Sequence, residues 1–135
     1  MKKIVVIDGQ GGKIGSLLVG KLKAEVKTGE IYAIGTNSIA TSAMMKAGAD
    51  FGATGENPAV VNCRNADIIV GPVGIVVADS LLGEITPVMA AAIGGSNAQK
   101  VLLPTNRCNN YIVGARDLPI GDLINAAIEH VISIL

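Results

Sequence analysis

Four short apolar runs, none with the in–out alternation of a half-exposed sheet, limit what this chain can fold into. Lys3 to Ile7 stops at Asp8-Gly9, and Ile31 to Ile34 stops at Gly35-Thr36-Asn37-Ser38. Asp67 to Val70 stops at Gly71-Pro72-Val73-Gly74, and Lys100 to Leu103 at Pro104-Thr105-Asn106-Arg107. Such β-branched and aliphatic runs, bounded by turn residues, are strands buried on both faces. Helical patterns separate them. Ile14, Leu17, Leu18, Leu22 and Val26 recur at helical spacing with lysines opposite, and Ser38 is placed to cap a helix running to about Lys46. Ala49–Thr54 fits either a brief third strand or a loop, ahead of a helix from Asn57 to Asn65. Ile75–Ile85 reads as a helix, and Thr86-Pro87 opens another that closes at Gly94-Gly95-Ser96. Tyr111–Val113 offers one extra short strand. The last helix carries Ile120, Leu123, Ile124, Ala127, Ile128, Val131 and Ile132 on one face, with Asp117 and Pro119 at its start. Strands alternating with helices predict a three-layer α/β sandwich, Rossmann-like or flavodoxin-like, with about five mostly parallel strands.

Composition removes several function classes. The 135 residues hold one ordinary core, so a single domain over 1–135 is expected. Eleven Lys+Arg balance eleven Asp+Glu, leaving no global field for nucleic acid or an anionic membrane surface. Tyr32, Phe51 and Tyr111 are the only aromatic residues, too few for a base-stacking platform. Mean hydropathy is high at +0.50. Yet the longest uncharged apolar stretch, Ile68–Ala78, is interrupted by Gly71, Pro72 and Gly74 and falls short of the roughly 20 residues that span a bilayer. Only Ile4–Ile7 follows the N-terminal lysines, where a secretory signal needs about 7–15 apolar residues. A cytoplasmic protein is expected, and its apolar content points to a homo-oligomer. Cys63 and Cys108 form no CxxC pair, and the lone His130, on the polar margin of the last helix, cannot complete a zinc set. No metal is expected.

Glycine is the surplus residue, 17 of 135 against a usual ~7%, and it clusters where strands end. Ligands of parallel α/β sheets bind at the carboxyl ends of the strands. The first such loop, Asp8-Gly9-Gln10-Gly11-Gly12-Lys13-Ile14-Gly15, lets backbone amides and a helix N-terminus approach a phosphate, with Lys13 as a point charge. Its alternative reading is tight packing. The spacing is GxxGxxG through Gly9, Gly12 and Gly15, and resembles the variant glycine loop of atypical short-chain dehydrogenases. It is not a Walker loop, so nucleotide hydrolysis is not expected. Where a dinucleotide fold places a carboxylate after strand two, this chain has Thr36, Asn37 and Ser38, which suit a 2′-phosphate or a smaller phosphorylated metabolite better than a ribose diol. Gly71 and Gly74 leave bare backbone beside another strand end. Asn106 and Arg107 stand in the most polar loop, where Arg107 can grip a phosphate or carboxylate. Cys108 sits beside Arg107, but the chain holds no second histidine, besides His130, to act as its base. Asp8 is the first acid–base candidate, although an Asp at that place also serves to fix the glycine loop. Met44, Met45 and Met89 read as helix core.

From Ile4-Val5-Val6-Ile7-Asp8-Gly9-Gln10-Gly11-Gly12 through Gly35-Thr36-Asn37, Gly52-Ala53-Thr54-Gly55-Glu56-Asn57 and Gly83-Glu84-Ile85-Thr86-Pro87, the chain resembles a family of short bacterial proteins catalogued as a domain of unknown function. The resemblance covers essentially the whole chain and implies no activity. A more distant one is to methylglyoxal synthase and its regulatory relatives. Asp8 and Lys13, then Gly35-Thr36-Asn37, Gly71-Pro72-Val73-Gly74 and Thr105-Asn106-Arg107 follow in the order of that family's motifs. The resemblance implies phosphate binding by Lys13, Thr36 and Ser38. It also implies a catalytic Asp where Val76 stands, with Asp79 three positions off, which argues against the synthase reaction.

Three functions follow. The first is a sensor or carrier that binds a phosphorylated metabolite or nucleotide, NADP among them, through the glycine loop, Thr36, Asn37, Asn106 and Arg107. The second is a minimal NADP-dependent oxidoreductase or a lyase on a phosphorylated substrate, with Asp8 or Asp79 as acid–base group. The third is a structural subunit whose glycines serve packing alone.

Overall fold

Val5 and Ile7 point to one side of strand β1 (Lys3–Asp8), Ile4 and Val6 to the other, and all four are fully buried. A strand without an exposed face belongs at the centre of a sheet covered on both sides. The computed structural model, which describes residues 1–135, has that arrangement. Strands β2 (Glu30–Gly35), β3 (Phe51–Thr54), β4 (Ile68–Pro72) and β5 (Gln99–Leu103) join β1, all in parallel, in the order β3-β2-β1-β4-β5. Helices α1 (Lys13–Glu25), α2 (Ser38–Lys46) and α5 (Ile120–Ser133) cover one face. Helices α3 (Glu56–Cys63) and α4 (Pro87–Gly94) cover the other, together with Ile75, Leu81 and Ile85.

The fold is therefore a three-layer α/β sandwich, and its strand order is the Rossmann one rather than the 2-1-3-4-5 order of flavodoxin-like sheets. The chain winds outward from β1 through β2 to β3, then crosses back to β4 and continues to β5. The order reverses between β1 and β4, and the crevice at that switch point is where such sheets bind ligands. Register pairs Asp8 with Gly35, Gly35 with Thr54 and Pro72 with Leu103, so the loops leave the sheet along a common edge.

Several expected elements differ in detail. Asn37, not Ser38, caps α2: its side-chain oxygen accepts from the Ala40 amide at 2.9 Å, and Ser38 is the first helical residue. Ala49–Thr54 resolves into the edge strand β3. No helix spans Ile75–Ile85. A 3-10 turn at Val73–Val76 leads into a closed loop in which Asp79, Leu81 and Leu82 take left-handed conformations. Ser80 donates its hydroxyl to the Gly74 carbonyl, and the Asp79 amide bonds the Ile85 carbonyl at 2.7 Å. These bonds close the loop on itself, and burial of Ile75, Leu81 and Ile85 gives it the apolar signal of a helix. Tyr111–Val113 forms no strand; Tyr111 and Val113 are exposed in an irregular connection. Met44 and Met89 are core residues as expected, whereas Met45 and Leu17 are exposed on their helices. No helix is long and apolar enough to cross a membrane.

Candidate functional site

Asp8 ends β1 with a buried carboxylate whose oxygens accept from two amides, Gly9 at 2.8 Å and Gly15 at 2.7 Å. The second bond matters for α1. Its N-cap is Gly12, at φ +74°, with no side chain to satisfy the first-turn amides. Asp8 supplies that cap from seven residues upstream and ties the glycine loop to the sheet. Burial pushes its carboxyl above the usual range, with Glu84 adding to the rise and the two amides pulling against it.

The loop's glycines divide by what surrounds them. A Cβ on Gly9 would lie 2.6 Å from the Thr36 hydroxyl and 2.9 Å from Glu84 Oε1. One on Gly12 would meet the Ala40 backbone at 2.8 Å, and one on Gly15 the Met44 sulfur at 2.6 Å. Gly71 lies against the Ile7 carbonyl, and a Cβ on Gly74 would approach the Asn106 carbonyl at 2.5 Å. These five glycines serve close packing. Gly11 differs: a Cβ there meets nothing within 4 Å. It lines a cavity of about 190 Å³ whose wall is the loop from Asp8 to Ile14 together with Asn106. The amides of Gly11 and Lys13 have no acceptor within the chain. Asn106 and Cys108 are left-handed in the loop that faces this cavity. Thr105, beside Asn106, carries the only buried side-chain polar atom without a hydrogen-bond partner.

Other expected site residues lie apart from that cavity. Ser38 is exposed at the start of α2, bordering a separate hollow with Ile39, Ser42, Ala43 and Lys46. Arg107 is held to its own loop by a 2.7 Å bond from Nε to the Pro104 carbonyl, with Asp117 at 3.7 Å. Asp79 is exposed, with no side-chain hydrogen bond. Thr36 and Asn37 do stand at the end of β2, but their donors point to a carboxylate.

That carboxylate is Glu84. Its Oε1 accepts from the Gln10 amide at 2.8 Å, the Thr36 hydroxyl at 2.5 Å and the Asn37 side-chain amide at 2.9 Å. Burial pushes its carboxyl up, but the hydrogen bonds from Thr36, Gln10 and Asn37 together outweigh that and hold it below the usual range. The end of β2 therefore does have an acidic group, delivered by the loop between β4 and α4. The expectation of a 2′-phosphate assumed that it had none. Glu84 and Gln10 were not among the residues singled out from the sequence. The available signal was an acidic residue between Gly83 and the Thr86-Pro87 helix start, hidden by reading Ile75–Ile85 as a helix.

The family model described as a domain of unknown function, DUF3842, matches residues 3–135. The chain belongs to that family. No curated protein matches this DUF3842 chain. Among solved structures, a dodecameric FMN-dependent UbiX-like decarboxylase from Escherichia coli O157:H7 is similar at 15% identity and a TM-score of 0.47. That similarity covers 98% of the DUF3842 chain and 93% of the decarboxylase chain.

Proposed function

We propose that this protein binds a small phosphate-bearing ligand, a nucleotide or phosphorylated metabolite, at the loop between β1 and α1. The observation that carries this reading is the pair of acceptor-free amides, Gly11 and Lys13, on a cavity at the switch point of the sheet. An anion there gains two N–H donors, the positive end of a 13-residue helix and the charge of Lys13. Glu84 is compatible with a nearby anion because three donors already offset its charge.

A sensor or carrier is favoured over an acid–base enzyme working through Asp8. Both oxygens of that carboxylate are taken by amides that shape the loop, so its protonation is tied to folding rather than to a substrate. The test is thermal unfolding with inorganic phosphate, AMP, ADP and NADP, each in excess. Ligand at 100 times its dissociation constant adds about 2.7 kcal/mol, on the order of 8 °C for a chain of this size. Lys13→Ala is expected to remove most of the shift and leave the ligand-free transition in place. A shift of the same size in Lys13→Ala, or no shift with any ligand, overturns the phosphate site. Exposed Leu82, Tyr111 and Val113 supply apolar surface for the homo-oligomer we also propose, which sedimentation equilibrium tests directly.

A further inference from the structure

Gln10 stands at φ +51°, a left-handed conformation that a residue with a Cβ disfavours, and it is exposed, so its own packing does not hold it there. Two bonds from outside the loop do. Its amide donates to Glu84 Oε1 at 2.8 Å, and its carbonyl accepts from Asn37 Nδ2 at 2.9 Å. Both peptide planes that flank Gln10 are thereby fixed, and with them its φ and ψ. The second of these planes also carries the open amide of Gly11. In a planar trans peptide the N–H points opposite to the C=O, so the bond from Asn37 aims the Gly11 N–H away from α2. Asn37 follows β2, on one side of β1, whereas Asn106, the cavity residue contributed from outside the glycine loop, follows β5 on the other side. A residue that does not line the cavity thus turns the open amide toward the side where the cavity lies.

Asn37 is itself held in place. Its Oδ1 accepts from the Ala40 amide at 2.9 Å, which leaves Nδ2 to reach both the Gln10 carbonyl and Glu84 Oε1, each at 2.9 Å. Thr36, from the same turn, donates to Glu84 Oε1 at 2.5 Å. We propose that Glu84 and Asn37 are positioning residues for the anion site: they lock the Gln10–Gly11 peptide with its N–H presented to the ligand, so that the loop between β4 and α4 sets how tightly the loop between β1 and α1 holds a phosphate. This rests on the phosphate site proposed above and adds how that site is controlled. Without the clamp Gln10 is free to leave the left-handed region, and the Gly11 amide turns with it. The sign of the effect separates the clamp from simple charge. A carboxylate near an anion repels it, so on charge alone the loss of Glu84 tightens phosphate binding. Loss of the clamp weakens it.

The experiment follows the Gly11 amide resonance by NMR in the full chain, isotope-labelled at glycine, during titration with inorganic phosphate and with AMP. Glu84→Ala is expected to move that resonance in the ligand-free protein and to weaken binding on the order of 10-fold or more, the effect of one lost hydrogen bond to a charged group. Glu84→Gln keeps an oxygen for the three donors and is expected to restore most of what Glu84→Ala loses. Asn37→Ser keeps a good N-cap for α2 while removing both Nδ2 donors, and is expected to weaken binding as Glu84→Ala does. Thr86→Ala takes the side-chain cap from α4 without touching the clamp, and is expected to cost stability but not affinity. Binding as tight as in the unaltered protein in either Glu84→Ala or Asn37→Ser overturns the positioning role and leaves the phosphate site standing. Equal weakening in Thr86→Ala also overturns it, since any loosening of the loop would then suffice. Should neither phosphate nor AMP bind the unaltered protein, both readings fall. If Glu84→Ala does not fold, Asn37→Ser decides alone.

Discussion

A Cβ on Gly12 would meet the Ala40 backbone at 2.8 Å in a residue already at φ +74°, whereas one on Gly11 would meet nothing within 4 Å. Adjacent glycines thus differ: the fold demands Gly12, whereas packing makes no demand at Gly11, where the proposed ligand would approach. Gly12→Ala is expected to cost about 2 kcal/mol or more, from the left-handed backbone and the forced separation of α1 from α2. Gly11→Ala is expected to leave stability unchanged or raised by up to about 1 kcal/mol, while weakening phosphate-ligand affinity. Urea unfolding and titration calorimetry on the two variants separate these effects; loss of stability in Gly11→Ala would show that this glycine too serves packing. The cysteines differ as sharply. Burial pushes the Cys63 thiol up to about 11, with the charges of Lys3 and Lys100 pulling weakly the other way, while Cys108 is exposed. A colorimetric thiol reagent at neutral pH is expected to modify one thiol in the folded protein and the second only on unfolding.

Helix α1 shows how an element can depend on a residue outside it. With Gly12 at its N-cap and Asp8 bonding the Gly15 amide, α1 is capped by the strand that precedes it, so strand and helix are fixed together. Asp8→Asn retains one acceptor where two are used and turns an amide group toward an N–H, with an expected cost of about 1–3 kcal/mol. Asn37→Ala removes an ordinary cap from α2 and is expected to cost about 1 kcal/mol. Urea midpoints compare the two, and a smaller loss in Asp8→Asn would show that Asp8 does not hold the loop. Strands β1, β2, β4 and β5 and most helices were legible in the sequence because buried parallel strands read as unbroken apolar runs and amphipathic helices as stripes, whereas the edge strand β3, largely exposed, left strand and loop both open. The loop from Val77 to Ile85 was not. Its left-handed Asp79, Leu81 and Leu82 follow from hydrogen bonds closed across the loop and from burial of Leu81, neither of which has a local spacing. The Asp8–Gly9–Gly12 part of the candidate site was legible as a loop for the opposite reason, since strand, turn and helix adjoin in sequence. Glu84 lies 74 positions from the Gln10 amide it accepts from, a pairing only the topology creates.

At the scale of the whole molecule, the three shifted carboxylates pull stability in opposite directions with pH. Asp50 is held below the usual range by the Ile31 amide first and by Lys23 second, and Glu84 is also held low. A carboxylate depressed on folding contributes stability above its unfolded value, about 3.9 for Asp and 4.3 for Glu, and that contribution is lost as pH falls through its folded value. Asp8 is raised on folding, so its ionised form costs stability above its folded value. That cost is relieved as pH falls from there toward about 3.9. Acidification from neutrality is therefore expected to stabilise the protein first, through Asp8, and to destabilise it below about pH 4, through Asp50 and Glu84. Urea midpoints followed across that range should pass through a maximum on the acid side of neutrality. In Asp8→Asn the rise should vanish while the fall at lower pH remains, and in Asp50→Asn the rise should persist while the fall becomes shallower. A midpoint that declines steadily from neutral pH in the unaltered protein would mean that the two amides on Asp8 outweigh its burial. The loop would then be held by a carboxylate as stabilising as the one on Asp50.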